Sequence, residues 1–210
     1  MHADKTRVFS TAYFPPIQYF AYMVNSGKII IETNDNYIKQ SYRNRCMVLT
    51  PNGIQTLSVP VERGSFHKVA LKDLKIDYSK PWQRNHIRAL KTAYNSSAFY
   101  EFMKYEVEEC IKHKHTFLLD LNMSIIQMLN NLLDLELKYS LSDNFIRESP
   151  EIIDLRDSIH PKKENEEFTR LQTPYFQVFG TPENFAPDLS ILDLMFNIGP
   201  ESSIYLRNSV

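Results

Sequence analysis

The segment RVFSTAYFPPIQYFAYMVNSGKIIIE, residues 7–32, decides the fold. Residues 7–12 carry the short apolar pattern of a strand, which Phe14-Pro15-Pro16 breaks. Proline fixes φ and suits the first turn of a helix, so Pro16 is a candidate for the first helical position. Ile17, Phe20, Ala21 and Val24 then recur at helical spacing. Asn25-Ser26-Gly27 closes that helix, with Gly27 as the C-cap candidate. Ile29-Ile30-Ile31 is a β-branched run of the kind found in buried strands. Strand, helix and strand within about thirty residues predict a right-handed βαβ unit.

Outward from this unit, Pro51-Asn52-Gly53 separates two strand-like runs, 45–50 and 54–61, and Asn-Gly there is a strong hairpin signal. Residues 69–77 form a weaker strand pattern. The middle is helical. Trp82, His86, Leu90 and Ala93 share one stripe, Ser97 is placed to cap a second helix reaching about Lys112, and 122–137 makes a third. The stretch 140–170 is polar and poor in aromatics, with an acidic run at 164–167, and reads as a surface excursion or lid. Residues 175–179 suggest a short strand. Residues 189–196 suggest a short helix, capped by Asp188 and ended by Gly199-Pro200. The expected fold class is α/β: a βαβ unit and hairpin forming one mixed sheet, a helical middle and a short C-terminal helix, all in a single domain over 1–210.

With 210 residues the chain can bury a core without disulfides. Cys46 and Cys110 are too few for a secreted disulfide scaffold and read as reduced core thiols. The N-terminus has no apolar signal region and no run is long enough to span a bilayer, so a soluble cytoplasmic protein is expected. The formal net charge of −1 and pI of about 6.6 argue against nucleic acid as a partner.

The strongest chemical constellation is Tyr37-Ile38-Lys39-Gln40-Ser41-Tyr42-Arg43-Asn44-Arg45. Guanidinium groups make bidentate contacts to phosphate or carboxylate, and amides and phenols can fix sugar hydroxyls. The segment follows the second strand of the βαβ unit, and open α/β sheets hold ligands beyond the carboxyl ends of their strands. Lys39, Arg43 and Arg45 therefore read as an anion site; the alternative is a solvated loop leading into the hairpin. A second candidate is Tyr13-Phe14-Pro15-Pro16-Ile17-Gln18-Tyr19, where a helix N-terminus offers free N–H groups to an anion. It lacks the glycines of a phosphate loop, and a rigid Pro-Pro corner packed with tyrosines is the competing reading. His86 is the candidate proton-transfer group; a structural hydrogen bonder is the alternative. Asp193 and Asn197 share a helix face and either reach a ligand or pair locally. His113 and His115 lack partners at metal-ligand spacing, so neither a metal nor a cofactor is expected.

At these same segments the chain resembles the WbqC-like family. The residues that carry the likeness are Tyr13-Phe14-Pro15-Pro16-Ile17-Gln18-Tyr19-Phe20, Tyr37 through Cys46, Asn52-Gly53 with Leu57-Ser58-Val59-Pro60-Val61, Trp82 with His86, Tyr94, Tyr175-Phe176-Gln177-Val178-Phe179, and 189–201. The family is named from genes in bacterial O-antigen clusters. The resemblance implies a cytoplasmic factor in surface-polysaccharide biosynthesis and brings no set of catalytic residues. It also implies that longer members carry more α/β sequence after the third helix, shortened here to 140–170.

Two functions are therefore expected. One is an enzyme acting on a nucleotide-linked sugar or other phosphorylated metabolite, by acyl or aminoacyl transfer for instance. Lys39, Arg43 and Arg45 would hold phosphates, Tyr13, Gln18, Tyr37, Gln40, Tyr42 and Asn44 would orient the ligand, and His86 would move the proton. The other is a non-enzymatic protein that uses the same surface to bind a glycan intermediate or an assembly partner.

Overall fold

The computed structural model describes residues 5–62, 69–163 and 165–210. Residues 1–4 of the N-terminus and Glu164 of the acidic run, both read above, lie outside the described residues. The expected unit is present as β1 (Thr6–Ser10), α1 (Ile17–Val24) and β2 (Lys28–Glu32), with β1 and β2 parallel and paired from Thr6 with Lys28 to Ser10 with Glu32. β1 carries Val8 and Phe9 fully buried, and α1 buries Ile17, Phe20, Ala21 and Met23 against the same core.

The hairpin forms as β3 (Arg45–Thr50) and β4 (Gly53–Ser58), joined through Gly53 at φ +95°. It does not join the parallel strands. The chain has a four-stranded parallel sheet and a separate two-stranded ribbon, in place of one mixed sheet. The two missing strands come from the stretch expected to be a surface excursion. β5 (Tyr139–Leu141) pairs with β2 and β6 (Ile152–Asp154) pairs with β1, completing the order β5-β2-β1-β6. Both are three residues long, too short to show a period, and only pairing with β1 and β2 makes them strands.

The helical middle comprises α2 (Trp82–Tyr94), α3 (Tyr100–Lys112) and α4 (Leu118–Leu132). Behind them come α5 (Glu166–Leu171), α6 (Ile191–Ile198) and α7 (Ser202–Arg207). Several local expectations shift. Residues 69–77 contain a 3-10 turn and isolated bridges instead of a ladder strand, and 175–179 form no strand. Tyr100 begins α3 and Phe99 is its cap, while the Ser97 hydroxyl donates to the Tyr94 carbonyl. Pro16 is the cap rather than the first residue of α1, and Asn25, not Gly27, ends that helix.

Ser190, not Asp188, caps α6, its Oγ accepting from Leu192 N. The same hydroxyl donates to the Phe14 carbonyl at 2.9 Å, and Ile191 N donates to the Pro15 carbonyl at 2.8 Å. The start of α6 thus pins the Pro-Pro corner, where Phe14 holds a left-handed φ of +39°. Gly199, at φ +57°, ends α6 against Phe99; a Cβ there would lie 2.4 Å from that ring, so glycine is required.

Candidate functional site

All four parallel strands end at one edge, and a polar network gathers there. β2 ends at Glu32, whose side chain is fully buried. Its Oε1 accepts from Asn34 N at 2.8 Å and Ser142 Oγ at 2.6 Å, and its Oε2 from Ile146 N at 2.6 Å. Arg156, just beyond β6, donates to Glu32 at 3.5 Å and grips Asp154 through Nε and NH2. One carboxylate therefore ties the end of β2, the start of the β5–β6 connection and the residues after β6 together. A buried charge is tolerated only when its partners satisfy it this fully.

Arg43 stands beside this network. It sits in a 3-10 turn, Tyr42–Asn44, and is only 2 % exposed. Its NH2 donates to Asp35 at 2.6 Å and to Asp157 at 3.3 Å, while its Nε has no hydrogen-bond partner. Asn122 of α4 fixes the turn from below, its Nδ2 donating to the Arg43 carbonyl at 2.8 Å and to Thr11 Oγ1 at 2.9 Å. Ser10 at the end of β1, Thr11 and Ala12 after it, Tyr19, Tyr42, Arg43, and Leu155, Arg156 and Ile159 after β6 line a narrow recess whose interior holds only about 10 Å³, room for one water-sized group. The buried Ser10 hydroxyl also lacks a partner. The chain runs outward from β1 through β2 to β5 and then returns to β1's other flank with β6, so the strand order reverses where the recess opens.

The residues singled out from sequence divide into three places. Tyr42 and Arg43 line the recess, and Tyr37, buried nearby, lies in the field of Arg45 and Arg43. Asn44 turns inward, its Nδ2 donating to the Val59 carbonyl at 2.8 Å. Lys39 and Gln40 are exposed, and neither they nor Arg45 line the recess.

Gln18 lies elsewhere, at the start of α1. The chain itself takes up the N–H groups expected to await an anion there. Ile17 N donates to the Leu189 carbonyl, Gln18 N donates to Asp188 Oδ1 at 2.8 Å, and Gln18 Nε2 donates to Asp188 Oδ2. Burial pushes the Asp188 carboxyl up to about 7, against the opposing hydrogen bonds from Gln18. An internal carboxylate thus occupies the helix terminus where a ligand anion would sit.

Tyr13 and His86 form the third group, in the core. Tyr13 Oη lies 2.8 Å from His86 Nδ1, and the imidazole also bonds the Ser58 backbone. A carbonyl partner for Nε2–H makes Nδ1 the acceptor, so the phenol donates. Trp82 packs edge-on to the imidazole at 5.2 Å. His86 is 5 % exposed and does not line the recess, and burial lowers its pKa to about 4. The structural alternative describes this environment. A pH consequence follows. The folded pKa lies below the unfolded value of about 6.5, so the stability held by neutral His86 is present above pH 6.5 and lost as pH falls toward 4. Urea unfolding of the natural chain and His86→Gln should show their stability difference shrinking by about 3 kcal/mol over that window. A difference independent of pH would contradict the buried neutral imidazole.

Asp193 and Asn197 pair locally. Asp193 Oδ2 accepts from Tyr175 Oη at 2.6 Å and Gln177 Nε2 at 2.9 Å, and Asn197 Nδ2 donates to the Asp193 carbonyl. His113 and His115 stack edge-on, and among the described residues no cluster of histidine, cysteine and carboxylate side chains could hold a metal ion. Among the same residues no helix is long and apolar enough to cross a membrane.

Sequence reading missed Glu32, Asp154, Arg156 and Asp157. A signal existed for two of them. A charge closing the Ile29-Ile30-Ile31 run belongs at a strand's carboxyl end, and Ile152-Ile153 ahead of Asp154 repeats that pattern inside the polar stretch.

The model of the WbqC-like protein family matches residues 11–162, which takes in the recess from Thr11 through Ile159. The chain belongs to the WbqC-like family. A curated relative, the uncharacterised protein Rv1507c of Mycobacterium tuberculosis, is 26% identical, and the alignment covers 97% of each chain. No solved structure matches the chain. Within this WbqC-like chain, the family match ends before α5, α6 and α7, the segments that brace the Pro-Pro corner and α1.

Proposed function

We propose that this WbqC-like protein binds and acts on a phosphorylated sugar metabolite, of the nucleotide-linked sugar class, in cytoplasmic surface-polysaccharide synthesis. The ligand enters at the carboxyl edge of the parallel sheet between β1 and β6. The observation that carries this reading is Arg43, buried to 2 % exposure yet lining the recess with its Nε unpaired, as is the hydroxyl of Ser10 in the same lining. Buried polar groups without partners are rare, and Ser10 and Arg43, which both line this narrow recess, each keep one, which supports a polar oxygen-bearing group held there. The place agrees, because open α/β sheets bind ligands where the strand order reverses. The mix of guanidinium and carboxylate groups suits a ligand with both phosphate oxygens and hydroxyls. The association of the family with O-antigen clusters supplies the pathway.

Thermal denaturation with a panel of nucleotides, nucleotide sugars and sugar 1-phosphates tests the proposal. A ligand at about a hundred times its Kd adds about 2.7 kcal/mol. For a chain of this size that raises Tm by about 5–10 °C. No shift with any phosphorylated compound would reject the reading and favour the glycan- or partner-binding alternative.

A further inference from the structure

Directly after Ile159 of the recess lining, the chain makes a compact basic turn, His160-Pro161-Lys162-Lys163, that neither the sequence motifs nor the fold accounts for. Lys163 N donates to the His160 carbonyl at 2.9 Å, and Lys162 N donates to His160 Nδ1 at 3.1 Å. An Nδ1 that accepts cannot carry the ring proton, so the neutral imidazole bears it on Nε2 as a donor. The turn is tethered to the recess: Lys163 Nζ donates to the Asp157 carbonyl at 2.9 Å, and Asp157 Oδ1 meets Arg43 at 3.3 Å. Burial lowers the His160 pKa, and the positive field of Lys163, Arg43 and Lys162 adds to it, with Asp157 opposing.

We propose that this turn is the phosphate clamp of the site, with Lys162, Lys163 and the His160 Nε2–H closing over a phosphate ester whose inner oxygens face Arg43. The inference rests on the ligand class proposed above and names the groups that recognise its phosphate. Lys162 and Lys163 are exposed and His160 half-buried, so all three are open to an incoming ligand. Among the described residues, Asp157 is the carboxylate that bears on the clamp. Its side chain is 56 % exposed and its contact to Arg43 is longer than Asp35's, so it is the contact that yields when phosphate arrives.

Isothermal titration of glucose 1-phosphate and of UDP-glucose, each into the natural chain, the Lys162→Gln/Lys163→Gln double variant and Asp157→Asn, tests the clamp. The double variant should stay within about 2 °C of the natural Tm, because both lysines are exposed and the Lys163–Asp157 bond it removes is at the surface, and bind about tenfold or more weakly, with a shallower salt dependence. Asp157→Asn should bind at least as tightly as the natural chain, a sign that local damage would not produce. Inorganic phosphate as a third probe separates the phosphate group alone from the sugar phosphate. Binding by the double variant equal to the natural chain, or lost in Asp157→Asn, overturns the clamp and leaves the recess reading standing. Binding of neither phosphorylated probe to the natural chain overturns both.

Discussion

Glu32→Gln is expected to destabilise the protein by about 3 kcal/mol, although one atom is exchanged on a side chain that never meets solvent. The amide keeps one acceptor oxygen where four donors converge: Asn34 N, Ser142 Oγ, Ile146 N and Arg156. If the new NH2 turns toward Ser142, that hydroxyl can rotate to accept it, but Asn34 N–H is left facing a donor. If it turns toward Ile146, that N–H and the guanidinium are opposed together. Arg156 keeps Asp154, which places the loss at the lower end of the range for a broken buried pair. The damage should be local in origin. Hydrogen exchange should rise first across β5 and 142–151, the segments that Glu32 fastens to the end of β2. A loss below about 1 kcal/mol, with exchange unchanged there, would show that the network does not hold the sheet edge together.

Arg43→Gln is expected to cost about 3–5 kcal/mol by leaving Asp35 without its buried cation, lowering Tm by about 6–20 °C. It should also abolish stabilisation by any phosphorylated ligand. The two effects separate in Arg43→Met/Asp35→Leu. Replacing both partners with apolar groups removes the stranded charge, so stability should return most of the way while ligand binding stays lost. Retained ligand binding in that double variant would falsify the placement of the ligand against Arg43. Asp157 remains in the double variant, and at 56 % exposure it is solvated without Arg43.

Legibility in the sequence followed local pattern. The βαβ unit, the Asn-Gly hairpin and the central helices have periods long enough to read, and most of the residues those periods mark are core, though Val24, Met128 and Leu132 are only half-buried. The chemistry was legible only where residue type and place coincide. Arg43 stands out because a guanidinium follows the second strand closely. Its companions in the same segment scatter: Asn44 turns in to Val59, and Lys39 and Gln40 face out. A run of adjacent polar residues in a loop cannot point one way, because successive side chains leave the backbone in different directions. Gln18 and His86 have the residue types of a site, yet Asp188 occupies one and the aromatic core encloses the other.

The sequence by itself determined the α/β class, the family and the end of the sheet at which to look, since strand, helix and turn signals act over a few residues and survive in isolation. The tertiary structure alone decided what stands at that end. β5 and β6 are strands only because β2 and β1 offer them hydrogen bonds, and their arrival brings Glu32, Arg43 and Arg156 from distant parts of the chain to one edge. Charges separated by over a hundred positions become a network because burial makes each dependent on the others, and no local pattern records that dependence.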